Sequence, residues 1–357
     1  MNVVIVGAGV VGLTTALQLK KSNPQYQVTV LASHLPGDLD IEYTSPFAGA
    51  NWHSFATKDD VRLQEIDKVA YKEFLRLAKE DDRAGIHEVF NYTYFSREEL
   101  ERIGGDSSQV FPWFKDYVKE FSVLDSDLPE GVALGVRFKG VVITVSIYLN
   151  YLLNAILAEG VKVKRVKKLQ NLEEAKSLHH SGKEADIVVN AAGLNASKLQ
   201  STEDPDPVYP VKGQVIHVRN NSSKVVMMSL PDGPAEEMIY VMPRKEGGSI
   251  IGGCFQTSFA STEEDRAMTQ RILQRAKELL PELVDPSFER NPNHFDVVRV
   301  QVGLRPFRKQ GPRIEFDQNH KWLIHSYGAG GGGYQGSYGM AQKVVSLMQS
   351  KLHHAKL

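Results

Sequence analysis

The chain has 357 residues, 42% of them hydrophobic and 24% charged, with a formal net charge of −1. That length supports two domains with substantial cores, and the near-zero charge argues against a nucleic-acid footprint. A single cysteine, Cys254, excludes an intrachain disulfide framework and a cysteine-based metal site.

In chain order, "NVVIVG" reads as a strand, and a glycine turn follows. "VVGLTTALQLKK" then reads as a helix and "QVTVLA" as a second strand. This is a βαβ unit, which belongs in a parallel sheet. Its turn carries Gly7, Gly9 and Gly12 in G-x-G-x-x-G spacing. In such a turn the first glycine permits the tight bend. The second lets the backbone approach a pyrophosphate, and the third lets helix and strand pack closely. The strand-turn-helix context predicts dinucleotide binding at the helix N-terminus. The acid expected at the end of the second strand is missing, because "VTVLASHLPGD" offers Ala32 and Ser33 instead. NAD is therefore not specified, and FAD remains possible if another group meets the ribose.

Residues 58–79 are spaced as an amphipathic helix. Residues 140–158 contain no charge, but "GVVITV" is β-branched and strand-like. The following "SIYLNYLLNAIL" carries Ser146, Asn150 and Asn154 four apart, a polar stripe. A strand and a core helix are expected here rather than a membrane span. The basic "KVKRVKK" at 162–168 reads as a strand with one solvated face. "DIVVNAAG" at 186–193 reads as a buried strand ending in small residues. "GQVIHV", "MIYVMP" and "GSIIGG" read as antiparallel strands, and 262–280 as a helix starting at Thr262. Cys254 lies in the apolar "IIGGCF" and reads as a buried, inert thiol. No histidine has metal-ligand spacing on a helix. "KWLIHS" at 321–326 is a strand that runs into "YGAGGGGYQGSYG", and a helix is expected from about 337. The chain begins without a secretory signal pattern and ends in "AKL".

Five segments together resemble the D-amino-acid oxidase and D-aspartate oxidase family, especially its yeast members. They are "VGAGVVGL", "YTSPFAGANW" at 43–52, "DIVVNAAGL" at 186–194, "PVKGQVI" at 210–216, and "VGLRPFRKQGPRIE" at 302–315 with the glycine-rich stretch after it. The resemblance implies an α/β fold, α+β overall. A Rossmann-type FAD-binding domain (1–55, 142–210 and 300–357) is interleaved with a substrate domain on a mixed sheet (56–141 and 211–299). It implies non-covalent FAD and oxidation of D-amino acids to imino acids that hydrolyse to 2-oxo acids. Molecular oxygen would then reoxidise the flavin and give hydrogen peroxide.

By the same resemblance, the first glycine turn would meet FAD through Gly7, Ala8, Gly9, Val10, Val11 and Gly12. The second segment would add Ser45, Ala48, Gly49, Ala50 and Asn51, and the third Ala192 and Gly193. The last would add Gly330, Gly331, Gly332, Gly333, Tyr334 and Gln335. Arg305 matches the arginine that clamps the substrate α-carboxylate, which suits a planar guanidinium. Tyr240 matches the tyrosine that joins it. A carbonyl, assigned to Gly331, and the Gln335 side chain would accept from the amine. Phe255 stands where many yeast members carry a second tyrosine. With a hydride passing directly to the flavin, no general base is needed and catalysis is mostly positioning.

An acidic substrate would need a second cation. Met227 or Met228 stands near the lid position (220–237) where mammalian-type D-aspartate oxidases carry arginine, which favours neutral side chains. A cationic His53, or Arg244, would favour D-aspartate. An NAD(P) dehydrogenase and a flavin protein without catalysis are the remaining alternatives. The first is opposed by the missing ribose acid, the second by Arg305 and Tyr240. Ala355, Lys356 and Leu357 resemble a peroxisomal import signal, which suits an enzyme that makes peroxide. Related proteins are often homodimers.

Overall fold

A computed structural model describes residues 1–230, 236–288 and 294–354. The first part runs β1 (Asn2–Val6), α1 (Val10–Ser22), β2 (Gln27–Ala32), α2 (Val61–Glu80), β3 (Ile86–Ser96), α3 (Arg97–Arg102) and β4 (Lys119–Leu124). The middle runs β5 (Val132–Ile143), α4 (Val145–Ala158), β6 (Lys162–Arg165), α5 (Leu172–Ser177), β7 (Ile187–Asn190), β8 (Tyr209–Val218) and β9 (Val225–Ser229). The last part runs β10 (Glu237–Pro243), β11 (Ser249–Cys254), α6 (Arg266–Leu279), β12 (Val297–Phe307), β13 (Arg313–Phe316), β14 (Leu323–Tyr327) and α7 (Ser337–His354).

Two sheets form. One has six strands in the order β13-β14-β7-β1-β2-β6, parallel except for the β13–β14 pair. The other has eight, in the order β12-β8-β11-β10-β9-β3-β5-β4, antiparallel except where β3 meets β9. Strand β1 shows why the first sheet is a core element. Val3 and Ile5 join one buried cluster while Val4 and Val6 join another, so both faces are covered. Helix α4 turns Ser146, Asn150 and Asn154 outward and buries Tyr148, Leu149, Leu152 and Ile156, as its polar stripe predicts. No helix among the described residues is long and apolar enough to cross a membrane.

Two expectations change, and a third falls partly outside the described residues. Residues 297–307 are one strand of the eight-stranded sheet, so the boundary expected at 300 falls inside β12. Helix α6 starts at Arg266, and its N-cap is Asp265, whose carboxylate accepts from the Met268 amide at 3.0 Å. Thr262 stays outside because neighbouring carbonyls are held elsewhere: Lys212 Nζ donates to Ser261 O at 2.8 Å and to Glu263 O at 3.0 Å. The expected lid at 220–237 includes β9, but its central part (231–235) lies outside the described residues, as do Ala355, Lys356 and Leu357.

Helices α1, α2, α4 and α7 share one hydrophobic cluster with β1 and β5. Helix α7 lies against α2 so closely that a Cβ on Gly339 would sit 2.2 Å from the Ile66 carbonyl oxygen. Because that atom is backbone, it cannot swing away. Gly339→Ala should therefore lower stability by about 1–3 kcal/mol through overpacking, read from denaturant unfolding of the purified protein.

Candidate FAD and substrate site

The ends of the two sheets and the N-termini of α1 and α7 enclose a cavity of about 640 Å³. The residues expected from the sequence to meet FAD or the substrate headgroup all line it except Gly12, while His53, Arg244 and Met228, candidates for the side-chain pocket, do not. Gly12 lies behind the wall: a Cβ there would be 2.0 Å from the Gly7 carbonyl oxygen. Gly7 has φ +115°, and a Cβ there would meet Ala191 O at 2.3 Å. The turn is thus pressed against the end of β7, as the glycine spacing predicts.

The Ala8 and Gly9 amides donate to no group among the described residues, and they sit at the start of α1. That is the arrangement a pyrophosphate requires. The Val10 amide is taken by Ser45 Oγ at 3.0 Å, and Tyr43 OH donates to Ala8 O at 2.7 Å. Beyond β2, His34 and Glu42 line the cavity where no acid is expected from the sequence. Glu42 is compensated by Lys168 at 2.6 Å.

The glycine-rich loop gives the clearest test of whether a planar ring fits. Gly328 and Gly330 have left-handed φ and face Arg308 and Phe307, so the protein itself demands glycine there. Gly331, Gly332 and Gly333 have no such φ, and a Cβ on any of them would meet no protein atom closer than 3.5 Å. Nothing in the chain forbids a side chain at these three positions. The space they leave belongs to whatever occupies the cavity, and a backbone surface of this kind fits a flavin ring.

Arg305 lies on β12, opposite Val211 of β8, with its guanidinium across Gly213, where a Cβ would come within 2.7 Å. Its Nη1 donates to the Cys254 carbonyl at 3.0 Å, and the group sits 5.6 Å from the Phe255 ring. Among the described residues no carboxylate forms an ion pair with it. Tyr240 on β10 is buried, and glycines at 252 and 253 make room for its ring. Burial raises the Tyr240 hydroxyl pKa, and the nearby charge of Arg305 opposes the rise. The hydroxyl is therefore a neutral donor beside a cation. Met227 pairs with Tyr240 across the sheet and lines the cavity with Met238, Met242 and Phe255, whereas Met228 does not reach it.

His53 is the correction at this site. Its ring is packed among Phe55, Phe114 and Phe138 rather than on the cavity wall. Burial lowers its pKa to about 4, which leaves it uncharged near neutral pH and weighs against a side-chain cation there. Arg244 is also off the wall, donating to Ile143 O at 2.6 Å. A residue not singled out from the sequence is Asp67, fully buried on α2 and hydrogen-bonded to Gln335 at 3.1 Å. Its signal was available: Asp67 falls on the apolar stripe of Ala70, Tyr71 and Phe74, where a carboxylate needs a reason.

A family model described as "FAD dependent oxidoreductase" matches residues 2–347. The D-amino-acid oxidase of Fusarium vanettenii is 39% identical, covering 97% of this chain and 96% of that protein. That of Schizosaccharomyces pombe is 36% identical, covering 98% and 97%. The chain belongs to the D-amino-acid and D-aspartate oxidase family of FAD-dependent oxidoreductases. The D-aspartate oxidase of Talaromyces thermophilus is similar at the lower level of 30% identity, over 97% of this chain and 95% of the relative. Among solved structures, glycine oxidase from Bacillus cereus superposes with a TM-score of 0.76 over 98% of this chain and 97% of that one. At 20% identity it speaks for the fold alone. The family's cofactor is FAD, and the free amides and glycine wall described above fit it.

Gly331→Ala separates the two roles of the loop. Its Cβ would have ordinary contacts, 3.6 Å to Phe55 and 3.7 Å to Arg305. FAD-free protein should keep its unfolding midpoint to within about 0.5 kcal/mol. FAD affinity, measured by quenching of flavin fluorescence, should fall at least tenfold (~1.4 kcal/mol).

Proposed function

We propose that the protein oxidises neutral D-amino acids to 2-oxo acids with release of ammonia and hydrogen peroxide. The observation that carries this reading is the Arg305 guanidinium, which has no carboxylate partner among the described residues and stands beside the neutral Tyr240 hydroxyl on the wall of the FAD cavity. A planar cation left without an anion in a partly buried site calls for a ligand carboxylate.

Arg305 and Tyr240 hold the substrate carboxylate. The carbonyl of Gly331 and the amide oxygen of Gln335 accept from the α-amino group. The thioether and ring wall of Met227, Met238, Met242 and Phe255 takes the side chain and excludes water. Bound FAD, held non-covalently, supplies the hydride acceptor and the route for electrons to molecular oxygen. The protein's share of the chemistry is therefore orientation, and no side-chain base is required.

A second reading, oxidation of D-aspartate, is motivated by the relatives with that activity. It needs another free cation beside the side chain. On the cavity wall Arg308 is paired with Asp204 at 2.7 Å, and Lys168 with Glu42 at 2.6 Å. Lys167 and His34 stand at the β2 end, away from the β10 strand that carries Tyr240. The wall around Tyr240 is apolar, which favours neutral substrates.

Peroxide release with D-alanine or D-methionine should exceed that with D-aspartate, and L-isomers should be inert. Arg305→Ala should raise KM about a hundredfold (~2.7 kcal/mol), the loss of a charge-assisted pair of hydrogen bonds. Faster turnover of D-aspartate would favour the second reading, and no peroxide from any D-amino acid would end both.

We also propose that the Ala355-Lys356-Leu357 tripeptide directs the enzyme to peroxisomes, where catalase would remove its product. Masking it with a carboxy-terminal tag should shift the protein to the cytosol in cells. Unchanged distribution would count against the address.

A further inference from the structure

Behind the glycine-rich loop, four side chains far apart in sequence form one hydrogen-bonded line. Trp113 Nε1 donates to Ser54 Oγ at 3.0 Å. Ser54 Oγ donates to Asp67 Oδ2 at 2.6 Å, and Gln335 Nε2 donates to the same oxygen at 3.1 Å. Asp67 is completely buried, and Gln335 lines the cavity.

The donor and acceptor roles along this line are forced. An indole N–H can only donate. The Ala56 amide also donates to Ser54 Oγ, at 3.2 Å. With two N–H groups pointing at it, the serine oxygen accepts from both, and its one proton must go to Asp67. As a carboxylate, Asp67 can only accept at Oδ2, so Gln335 must present its NH2 to it. The amide oxygen of Gln335 is left with no donor among the described residues, on a side chain that lines the cavity. Which end of an amide faces a site is ordinarily ambiguous. Here the indole, two residues removed, decides it.

We propose that Asp67 is a positioning residue that, with Ser54 and Trp113, locks the Gln335 amide so that its oxygen faces the substrate amine. This rests on the proposed oxidation of D-amino acids, since an ammonium or amine needs an acceptor and the NH2 end would repel it. The second oxygen of Asp67 supports the assignment. Oδ1 is buried without a partner, and burial pushes the carboxyl pKa up to about 7. Both protein donors to this carboxyl therefore converge on Oδ2.

The test compares a ligand that has the amine with one that lacks it. D-Alanine turnover gives KM and kcat. Propanoate, which offers only the carboxylate, is titrated into the FAD-loaded enzyme by the change in flavin absorbance. Asp67→Leu removes the acceptor and should raise KM for D-alanine at least about tenfold, with propanoate affinity held within about twofold. Asp67→Asn, whose amide oxygen can take the place of Oδ2, should behave nearly as the wild type. Trp113→Phe should give a smaller shift with the same selectivity, and it leaves the buried carboxyl intact should Asp67→Leu fold poorly.

Equal losses for D-alanine and propanoate would mean a merely structural role and overturn the proposal. So would an unchanged KM in Asp67→Leu, or a loss in Asp67→Asn as large as that in Asp67→Leu. Gln335→Ala with unchanged KM overturns it at its premise. A wild-type enzyme inert toward every D-amino acid removes the proposed function itself, whereas turnover without the selective pattern removes only the locking of Gln335.

Discussion

The constraint on which the rest of this structure depends is the closeness with which backbone can approach backbone. Gly12 packs on the Gly7 carbonyl, Gly7 on the end of β7, and Gly339 on the backbone of α2, each at a distance that forbids a Cβ. These contacts bring the N-termini of α1 and α7 to the same cavity. They place free amides at one part of it and a bare glycine surface at another. A site for a large cofactor is thus built mainly from main chain, with side chains excluded.

Against that surface the eight-stranded sheet contributes a small number of polar groups in an apolar wall. Arg305 is held in place by a carbonyl and an aromatic face, neither of which cancels its charge. The other arginines near the site, Arg244 and Arg308, are already engaged with a carbonyl and with Asp204. Partly desolvated charge without an anion is costly, which is the ground for proposing that a substrate carboxylate binds there. The methionines beside it make an adaptable apolar wall and offer no charge.

In the proposed function the two halves of the amino-acid headgroup would be read by different means. The carboxylate would meet fixed charge. The amine would meet oxygen atoms, and that of Gln335 is turned by the acceptor Asp67 behind it. The buried carboxyl of Asp67 would belong to this second system, a reason for an otherwise expensive group at a core position of α2.

Much of this was legible in the sequence by itself. The G-x-G-x-x-G turn between a strand and a helix is a local signal, because tight turn, close packing and phosphate approach all act within thirty residues. The polar stripe of α4 and the buried run of β1 are also local periodicities. Arg305, Tyr240 and the glycine-rich loop were readable through the order of segments along the chain. Tertiary structure alone decided what each side chain touches. His53 lost its charge to Phe55, Phe114 and Phe138, which come from distant segments. Lys212, reaching across from β8, holds the carbonyls beside Thr262, so α6 begins at Asp265 instead. Asp67 and Gln335 are 268 residues apart, and nothing in either neighbourhood announces the other. Local patterns specify elements and the turns between them. Burial, charge state and hydrogen-bond direction depend on neighbours brought together by the fold, and these were decided only in three dimensions.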